Sequence, residues 1–585
     1  MKLADELSTL GRTLVHLRPS QIAWRAVHVA RLQAYNRFAA LGGLSVRPDG
    51  AARAAALPAF EIEGIDARPA ELWRQGLVEY DGIPAPKADW TGDGQSKLWR
   101  YERQYHSELV SLATASVDEA RALVDDWIAH NPPCHGDAWE PYPVARRLLN
   151  WSLAGAVAPE LRAHLAPWMA AQMRFLASHL ERHLLGNHLL CDLCAVVAAA
   201  ASIESADSEA QAMGAARRLE RELDRQVLPD GGYAERTAQY HLVVLHDALL
   251  ALALQRARGR ALGIGPILAR MLRWMEWVRR ADGTFPWLND AAPDGLPSLP
   301  VIRALSKIAE VVPAAGLPPA IIELPDTGWT ILREDGHELL FEHGIIGPEH
   351  QPGHGHADTL SFELVWDGAP VVTDTGVTTY ATGDARTFER SAAAHATVNV
   401  DGQGADETWA SFRVGGRARP VYLGKSSPWP GSWLLRALAT SYLGFVHRRG
   451  LLFWPGRALV VCDEVSRARV GAVVLSAVPL DPDWAVTTVA EGCQIESKGA
   501  RLSISVLQGR LLEAERGDYP SRPGWVGRGF GRGQGRVSLS LALDQDGRLL
   551  YVIAVPNVQV SLQAGMLTMA ADEIREQLPV TALLP

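Results

Sequence analysis

One stretch of the sequence, from His350 to His395, concentrates side chains that can bind metals or transfer protons. Six of the 18 histidines fall within the 59 residues from 337 to 395, where even spreading would place about two. The candidates in the stretch are His350, His354, His356, Asp358, Asp374 and His395. Imidazole and carboxylate groups are common zinc ligands and common general acids and bases, so this stretch is the first candidate for a functional site.

The residues that follow His356 have the pattern of a β-hairpin. Apolar residues at every second position from 360 to 366 predict a strand with one buried face. Asp367-Gly368 is a strong turn signal, after which the chain runs back. If the strands pair directly across this turn, Asp374 lies opposite Ser361, and the glycine-rich segment before His356 must fold back to reach it.

His356, Asp374 and His395 converge if His395 arrives from a later strand. Two imidazoles and one carboxylate, with room for a further ligand, make a zinc site. The alternative is a polar loop whose histidines are held by ordinary hydrogen bonds, because the three residues do not form a short motif of fixed spacing.

Between residues 101 and 320 the sequence has a helical pattern throughout. Successive segments place apolar residues three and four positions apart, which is the spacing of an amphipathic helix. Three loops resemble one another, with the sequences HLLGNH, LPDGGY and RADGTFPW at intervals of about fifty residues. Such a repeat predicts antiparallel helix pairs in a toroid or solenoid, whose loops collect on one face and carry function.

The pattern changes near residue 320, where the Pro-rich sequence LPPAIIELPDTG predicts a linker. Short runs of alternating apolar residues follow, separated by turns such as DG, PG and GG, and they predict an antiparallel β-sandwich. The predicted fold class is α+β, with an N-terminal (α/α) toroid of helix pairs followed by a C-terminal antiparallel β-sandwich. We place the domains at 1–100 (a leader and partly helical arm), 101–320 (the toroid) and 326–585 (the sandwich).

The composition excludes several classes of protein. A net charge of −9 provides no overall basic field for nucleic acid. Five cysteines are too few, and odd in number, for a disulfide framework. The CxxC of Cys191 and Cys194 lies in an apolar helical run, and we interpret it as part of a buried helix face. No run of about 18 uncharged apolar residues occurs, so no transmembrane helix is expected.

The N-terminal stretch is basic and has no apolar segment typical of a secretory signal, so we expect the bacterial cytoplasm or the cell envelope. Its arginines and Trp24 follow a helical pattern, and an Ala/Pro/Gly-rich break follows over residues 47–60. We expect this helix to pack on the body with a solvated outer face. Peripheral contact with a membrane surface or a partner is the alternative, and a homodimer is also left open.

Polar side chains appear at places in the helical half where a plain helix bundle would not need them. One place is Asn187 with His188, although Asn187 could instead cap a helix that begins at residue 188. Another is the segment from Asp230 to His241, which contains Glu235 and Tyr240. The default interpretation of such a tyrosine is a core residue with a hydrogen-bonded hydroxyl.

A third polar place lies around Trp139 and includes Arg146, Arg147 and Asn150. Arginine beside tryptophan at a groove suits an acidic sugar. The commoner arrangement is an arginine whose stem lies along a helix and whose charged end reaches solvent.

Taken together with the histidine-rich stretch, these places resemble the heparinase II/III family of polysaccharide lyases. The matching residues occur in the order Gly186-Asn187-His188, Asp230-Gly-Gly-Tyr233, Glu235, Tyr240-His241, Gly353-His354-Gly355-His356-Ala357-Asp358, Asp374-Thr-Gly376 and His395-Ala-Thr-Val398. The likeness covers roughly residues 100–470 and is most specific from 351 to 413. One departure is Ala396, where the family often has Asn. The family has an (α/α) toroid followed by an antiparallel β-sandwich, in agreement with the periodicity.

The resemblance implies an activity and roles for individual residues. Such lyases cleave the bond at C4 of a uronic acid by β-elimination, which needs a neutralised carboxylate, a base for the C5 proton and an acid for the leaving oxygen. By resemblance, Asn187 helped by His188 neutralises the carboxylate. Tyr240 and His354 match the catalytic tyrosine and histidine. Tyr380 lies at a position similar to a second tyrosine of alginate-type relatives.

The resemblance also implies a structural zinc ion or another divalent cation. The family's metal maps onto His356, Asp374 and His395, where it would hold the loop that carries His354. An acidic polysaccharide or oligosaccharide is the expected partner. The residues that we expect to bind it are Trp139, Arg147 and Glu235.

Two other functions remain open at this point. One is a non-catalytic polysaccharide-binding or assembly protein of a surface-polysaccharide pathway, because no export signal is visible. The other is a glycoside hydrolase on the same scaffold, with Glu235 and either Asp358 or Glu407 as the two carboxylates. We favour the lyase because individual side chains match, whereas a shared fold alone says little about function.

Overall fold

A computed structural model gives the structure of the chain. It describes residues 2–40, 48, 50–53, 57–205, 207–313, 316, 318–490, 492–571 and 573–585. The break predicted for residues 47–60 therefore lies partly outside the described residues.

Helices dominate the N-terminal half of the chain. Their bounds are α1 Lys2–Leu14, α2 Pro19–Ala40, α3 Arg68–Arg74, α4 Lys97–Arg103, α5 Ser107–Ala115, α6 Val117–His130, α7 Pro141–Val157, α8 Arg162–His179, α9 Gly186–Ser202, α10 Ser208–Gln226, α11 Ala238–Ala257, α12 Gly265–Val278, α13 Leu299–Ile308, α14 Asp384–Glu389 and α15 Val580–Leu583. Local sequence explains their ends: Ser116 caps α6, because its hydroxyl oxygen accepts the backbone N–H of Glu119 at 3.3 Å.

Helix α9 lies at the centre of the helical half. It is apolar on almost all sides and packs against α7, α8, α10 and α11, as an evenly hydrophobic helix must. Helix α5 packs on α7, and α11 packs on α12 and α13. One buried cluster runs through these helices and includes Trp127, Trp151 and Trp274. The helices therefore form a single body around α9.

Strands dominate the C-terminal half. Their bounds are β1 Ala51–Ala52, β2 Leu77–Tyr80, β3 Ile83–Pro86, β4 Ile203–Glu204, β5 Ile321–Leu324, β6 Trp329–Glu334, β7 His337–Glu342, β8 Phe362–Trp366, β9 Ala369–Val372, β10 Val398–Val400, β11 Thr408–Trp409, β12 Arg413–Val414, β13 Arg419–Ser426, β14 Trp433–Thr440, β15 Val446–Trp454, β16 Ala458–Ser466, β17 Val474–Pro479, β18 Ala485–Val489, β19 Gly492–Ser497, β20 Ala500–Gln508, β21 Arg510–Arg516, β22 Trp525–Gly529, β23 Arg532–Gly535, β24 Val537–Ala542, β25 Arg548–Ala554, β26 Val558–Gln563, β27 Met566–Ala571 and β28 Ile574–Pro579. Neighbouring strands in the large sheets run antiparallel.

Stacked sheets enclose the core of the β-rich half. The strand orders are β5-β6-β7-β8-β9, β13-β14-β15-β16-β25-β20-β19-β18 and β10-β17-β24-β21. Their inward side chains, among them Phe341, Leu451 and Leu541, form one buried cluster. The sheet β26-β27-β28 covers the other face of the eight-stranded sheet, where Leu567 and Leu452 belong to one buried cluster. This layered arrangement is that of a β-sandwich.

The two halves share a core at the start of the five-stranded sheet. Trp329 and Ile331 of β6 belong to the buried cluster of the helices. In the loop before α11, Arg236 donates to the backbone carbonyl of Thr327 at 2.9 Å. Asp230 accepts the backbone N–H of Thr327 at 2.6 Å. The loops at this end of the helices are therefore fixed against the sheet.

The structure confirms the predicted fold class, because a helical N-terminal part is followed by an antiparallel β-rich part. The segment predicted as a linker contains β5, whose Ile-Ile-Glu-Leu run pairs with β6. Cys191 and Cys194 are buried on α9, as we interpreted them. The domain limits at residues 100, 320 and 326 remain predictions.

The predicted hairpin is formed by β8 and β9, and Trp366 pairs with Ala369 across its turn. Val371 is an extra residue in β9, a β-bulge that shifts the register by one residue. The predicted pairing of Asp374 with Ser361 is therefore wrong, because a simple alternation of residues gives no sign of a bulge.

Helices α1 and α2 pack on the body of the protein. The Arg12 side chain of α1 binds the carboxylate of Glu407 at 2.6 Å. Gln21 of α2 is buried and donates to the backbone carbonyls of His183 and His350 at 3.4 Å each. Among the described residues, no helix is both long enough and apolar enough to cross a bilayer.

Candidate active site

Asn187 lies in the first turn of α9. The residue before it, Gly186, has a positive φ, a backbone conformation that favours glycine. Gly186 has a φ of +54°, and a Cβ there would lie 2.6 Å from the side chains of Glu235 and Gln351. Glycine therefore allows this close approach. The backbone N–H and the side-chain amide of Asn187 donate to Glu235 at 3.0 and 3.1 Å. Because α9 already begins at Gly186, Asn187 does not cap a helix that begins at residue 188.

Glu235 orients its neighbours and does not form part of a cavity wall. Besides Asn187, its carboxylate accepts a hydrogen bond from the hydroxyl of Tyr233 at 3.2 Å. Its second oxygen is 3.7 Å from Nε2 of His354. The side chain is buried and its contacts hold Asn187, while contact of Glu235 with substrate stays a prediction.

Tyr240, Tyr380 and His354 meet where the two halves of the protein touch. Tyr240 comes from the first turn of α11, Tyr380 from the loop before α14, and His354 from the loop between β7 and β8. The two hydroxyl oxygens are 2.9 Å apart, and the ring centroids of Tyr240 and His354 are 3.9 Å apart. Burial raises the pKa of both phenols well above the ordinary value, so both are protonated at neutral pH.

Asp290 connects the catalytic candidates to the metal candidates. Its carboxylate oxygens are 2.8 Å from Nδ1 of His354 and 2.8 Å from Nε2 of His356, and Arg386 binds both oxygens. Burial alone would raise the pKa of Asp290, but Arg386 and the two histidines hold that pKa well below its ordinary range. Asp290 is therefore an ionised carboxylate that fixes the orientation of both imidazole rings.

His356, Asp374 and His395 form a buried group that fits a metal ion. One ligand atom from each residue lies within 4.8 Å of the others. Nδ1 of His356 and Nε2 of His395 are buried and have no hydrogen-bond partner among the described residues. Buried polar atoms without a partner are rare and point to a missing ligand. Burial lowers the pKa of His356 to about 4, so its ring is neutral and able to bind a metal.

The surroundings of this group suit zinc. Two imidazoles and one carboxylate with an open position are a frequent zinc donor set. The second nitrogen of His356 is held by Asp290, and that of His395 lies 2.6 Å from Asp374. Carboxylates that orient the ligand histidines in this way are typical of zinc sites. The three predicted residues come together in the structure, while the identity of the ion remains a prediction.

His188 lies one residue after Asn187 and gains a proton more easily than an ordinary histidine. Its Nδ1 is 2.8 Å from the carboxylate of Glu181, and its ring lies 4.4 Å from that of Tyr142. Burial opposes protonation of His188, but the charge of Glu181 outweighs burial and raises the pKa. The first turn of α9 therefore places an imidazole with a raised pKa beside the amide of Asn187.

A cavity of about 530 Å³ lies beside Tyr240 and Tyr380. This volume is within the range of roughly 300–1,000 Å³ that is usual for small-molecule sites. Tyr142 and Arg146 of α7, one helical turn apart, line it from the helical half, and Phe530 lines it from the β-rich half. The cavity therefore opens between the two halves, next to the phenol pair.

Trp139 and Arg147 do not line this cavity, and their contact with substrate stays a prediction. Trp139 is buried and stacks on Trp127. Arg147 is completely buried, and its guanidinium donates to Gln172 at 2.6 Å and to two backbone carbonyls. Helix phase separates Arg147 from the preceding residue, Arg146, which faces the cavity.

Sequence reasoning missed Asp290 and Arg386. A signal for Asp290 was present, because it lies three residues after the end of RADGTFPW, the third of the similar loops. Arg386 had no comparable signal, since it lies 96 positions from its partner and belongs to no repeated motif.

Comparisons with known proteins bear on both halves of the chain. The family model described as "Heparinase II/III N-terminus" matches residues 113–314. The model described as "Heparinase II/III-like, C-terminal" matches residues 317–559. No curated protein matches the chain.

Several solved structures share the fold. One described as heparinase III has a TM-score of 0.68 at 15% identity, covering 94% of this chain and 97% of the other. The heparinase III-BT4657 gene product has a TM-score of 0.62 at 18% identity, with coverages of 90% and 93%. A heparan sulfate lyase from Pedobacter heparinus, HepC, has a TM-score of 0.56 at 16% identity, with coverages of 88% and 90%. Because the two family models together match more than half of its residues, the chain belongs to the heparinase II/III family of polysaccharide lyases.

Proposed function

We propose that this chain cleaves a polysaccharide that contains uronic acid, by β-elimination. The observation that carries the proposal is the contact of Tyr240 from the helical half with His354 from the β-rich half, beside a cavity. Two of the similar structures are described as heparinase III and heparan sulfate lyase. These descriptions support an acidic polysaccharide as the class of substrate.

His354 is the proposed base and Tyr240 the proposed acid. The ionised Asp290 can only accept hydrogen bonds, so Nδ1 of His354 carries a proton, and Nε2 is the nitrogen left to act as the base. Burial keeps the phenol of Tyr240 protonated and able to donate. His354 takes the C5 proton, the C4–O bond breaks, a C4–C5 double bond forms, and the leaving oxygen takes the phenol proton. Tyr380 then donates its own hydroxyl hydrogen bond to the phenolate.

Asn187 and His188 are the proposed partners of the substrate carboxylate. The C5 proton becomes acidic enough only when the charge of the neighbouring carboxylate is balanced, and fixed donors stabilise the enediolate that forms. Glu235 holds the Asn187 amide from one side. We therefore place the substrate carboxylate on the opposite side, next to His188, whose pKa is raised by Glu181 against the effect of burial.

A zinc ion is proposed at His356, Asp374 and His395. Bound there, it would join three loops of the β-rich half, and its contribution would be structural. Because Asp290 binds both His356 and His354, a fixed His356 also fixes the proposed base. The unpaired nitrogens of His356 and His395 support this assignment.

The hydrolase alternative has less support. A hydrolase needs two carboxylates across the scissile bond, but Glu235 is bound by Asn187, Glu407 is bound by Arg12, and Asp358 is buried.

Product analysis in ¹⁸O-labelled water tests the proposal. A panel of acidic polysaccharides is incubated with the protein, and ultraviolet absorbance and product mass are recorded. Elimination gives an absorbing C4–C5 double bond and no ¹⁸O in the new reducing end, because no water is added. Incorporated ¹⁸O without absorbance would indicate hydrolysis, and binding without any product would indicate a non-catalytic protein.

The compartment, a homodimer and a peripheral membrane contact remain predictions. Arg12 and Gln21 already bind the body of the protein. Any external contact of the N-terminal helices would therefore use their exposed face, which includes Ile22 and Val29.

A further inference from the structure

We propose that the outer face of helix α2 binds a membrane surface that contains anionic lipid. We define this face by Ile22, Ala26, Val29 and Gln33, which are all exposed and follow one another at the three- and four-residue steps of one helical stripe. Among the described residues no helix could cross a bilayer, so the contact is that of a helix lying along the surface. The inference goes beyond the proposed function and does not rest on it.

The opposite face of α2 is occupied by the body of the protein. Gln21 at the start of the helix is buried, and the ring of His28 stacks on that of His183 with their centroids 4.2 Å apart. One turn further on, Arg31 donates to the backbone carbonyl of Ser178 at 2.7 Å. These contacts are spread over three turns and fix the rotation of the helix about its axis. The stripe from Ile22 to Gln33 therefore points to solvent.

The outer face of α2 is more apolar than the face that packs on the body, which is the reverse of an ordinary surface helix. Ile22 is 58% exposed and Val29 is 40% exposed. Of the 19 large apolar side chains that are exposed in the described part of the chain, six lie between residues 7 and 29, where even spreading would place about one. Such a concentration of exposed apolar side chains indicates an interaction surface.

The charges around the outer face favour an anionic occupant. Residues 7–40 contain five arginines and no acidic residue, although the whole chain has a net charge of −9. Arg25 and Arg37 are exposed, and neither forms an ion pair with any residue that the structure describes. They lie about 60° to either side of Ile22 around the helix axis. Their stems can follow the apolar stripe while the guanidinium groups bind phosphate, as arginines do at a lipid surface.

A second copy of the chain is a poorer occupant for this face. A twofold contact between two α2 helices would place the arginines of one copy against those of the other, and like charges oppose such a contact. A lipid surface instead supplies phosphate groups for Arg25 and Arg37 and an apolar layer for Ile22 and Val29. Helix α2 has 22 residues and is therefore about 33 Å long, so both arginines can reach lipid headgroups at the same time.

Sedimentation of the whole chain with lipid vesicles tests the inference. One set of vesicles consists of phosphatidylcholine alone, and the other contains about 30% phosphatidylglycerol. We expect the chain to bind the anionic vesicles at least about tenfold more tightly, because the arginines and the apolar stripe then act together. The bound fraction should fall as the salt concentration rises. Equal binding to both sets of vesicles, or binding to neither, would overturn the inference.

Two double variants identify the residues responsible. Ile22→Ser with Val29→Ser removes the apolar contact, and Arg25→Gln with Arg37→Gln removes the charges. Each double variant should weaken binding to the anionic vesicles about tenfold or more. Because all four side chains are exposed, neither variant should lower the melting temperature. Unchanged binding to the vesicles in either double variant contradicts the inference.

Matched variants elsewhere on the surface separate local from general effects. Val470→Ser with Val473→Ser removes two apolar side chains that are 96% and 57% exposed. Arg510→Gln with Arg575→Gln removes two exposed arginines. Both controls should bind the anionic vesicles as the unmodified protein does. A loss of binding equal to that of the α2 variants would assign the binding to the surface as a whole and overturn the inference.

Sedimentation equilibrium without lipid distinguishes a membrane from a second copy. A chain that ignores vesicles but forms a dimer, which Ile22→Ser with Val29→Ser dissociates, would make the outer face an interface between copies and refute the lipid assignment. The inference and the proposed function fail separately, because the α2 variants leave Tyr240 and His354 unchanged. Binding to vesicles therefore supports the inference whether or not the chain cleaves a polysaccharide.

Discussion

The two sides of the candidate site are held in place by different means. On the helical side, Asn187 and Tyr240 each lie in the first turn of a helix, where backbone hydrogen bonds fix the chain. On the β-rich side, His354 and Tyr380 lie in loops between strands or before a short helix. Loops lack the regular backbone hydrogen bonds of helices and sheets. Side chains must therefore form hydrogen bonds with the backbone groups of these loops and hold them in place.

On the β-rich side, buried arginines form the hydrogen bonds that hold the loops in place. Arg390 donates to the backbone carbonyl of Gly355 at 3.0 Å, between the two histidines of the loop. Arg536 donates to the hydroxyl of Thr375 at 2.6 Å, next to Asp374. Arg386 binds Asp290 across the junction. A buried charge that loses its partner is strongly destabilising, so the loop side should be the more sensitive of the two.

The largest expected effects fall equally on both sides, because the proposed reaction needs one group from each. Tyr240→Phe and His354→Ala should each lower kcat by about 10²–10⁴-fold, the usual contribution of an acid or base, with little change in melting temperature. Steady-state kinetics on a cleaved polymer measures this. Tyr442→Phe, at a surface phenol that bonds Gln403, is the matched control and should keep full activity. Full activity in either site variant would remove that residue from the mechanism.

Asp290→Asn and Glu235→Gln each change a carboxylate of the helical half, one that supports the loops of the β-rich side through Arg386 and His354 and one that supports Asn187. Asp290→Asn leaves Arg386 buried without a counter-charge and should reduce the free energy of unfolding by about 3–5 kcal/mol. Glu235→Gln weakens hydrogen bonds to Asn187 and should cost only about 1 kcal/mol. Denaturant unfolding measures both values. Equal losses would contradict the idea that the loop side depends more on buried charge.

Removal of the metal should weaken the support of the loops on the β-rich side and leave the helical side in place. Chelation, or His395→Ala, should lower activity about 10–100-fold and lower the melting temperature, because the loop that carries the base loses a support. Zinc added back should restore the chelated protein and leave His395→Ala unchanged. Protein purified without chelator that contains no metal would refute the zinc assignment.

Glu389 makes a smaller contribution to the free energy of unfolding, and this contribution depends on pH. This buried residue of α14 accepts the backbone N–H of Thr378 at 3.1 Å and so supports the loop of Tyr380. Burial raises its pKa from 4.5 to about 7. Because the folded-state pKa is the higher one, its contribution to stability is full below pH 4.5 and is lost as the pH rises through 7. The unmodified protein should lose about 2 kcal/mol between pH 5 and pH 8 through this group.

The isosteric variant Glu389→Gln tests this assignment. It cannot ionise, so the stability difference between it and the unmodified protein should shift in favour of the variant as the pH rises from 5 to 8. Unfolding free energies at the two pH values provide the measurement. A difference that stays constant would show that Glu389 does not titrate in this range.

The sequence was sufficient for the features that depend on local pattern. Helical and strand periodicity predicted the order of the two halves, because each element buries one face. His356, Asp374 and His395 were identified by residue type and spacing together with the family resemblance. The meeting of Tyr240 with His354 was implied by the resemblance, since 114 positions separate them and no local pattern could join them.

Features that depend on phase or on distant partners were not predictable. Arg146 and Arg147 are neighbours, yet a rotation of about 100° per residue puts one at the cavity and the other in the core. The bulge at Val371 shifts a register that alternation alone cannot reveal. The pairing of Asp290 with Arg386 joins two loops of different halves, and a single sequence contains no trace of such a contact.

A single set of rates tests the central claim that groups from the two halves act on one sugar. The ultraviolet absorbance of the elimination product is followed for the unmodified protein, Tyr240→Phe, His354→Ala and the double variant. Groups that act as a unit are not additive, so the double variant should be about as slow as the slower single variant. A loss in the double variant equal to the product of the two single losses, or an unmodified protein that produces no absorbance, would contradict the account.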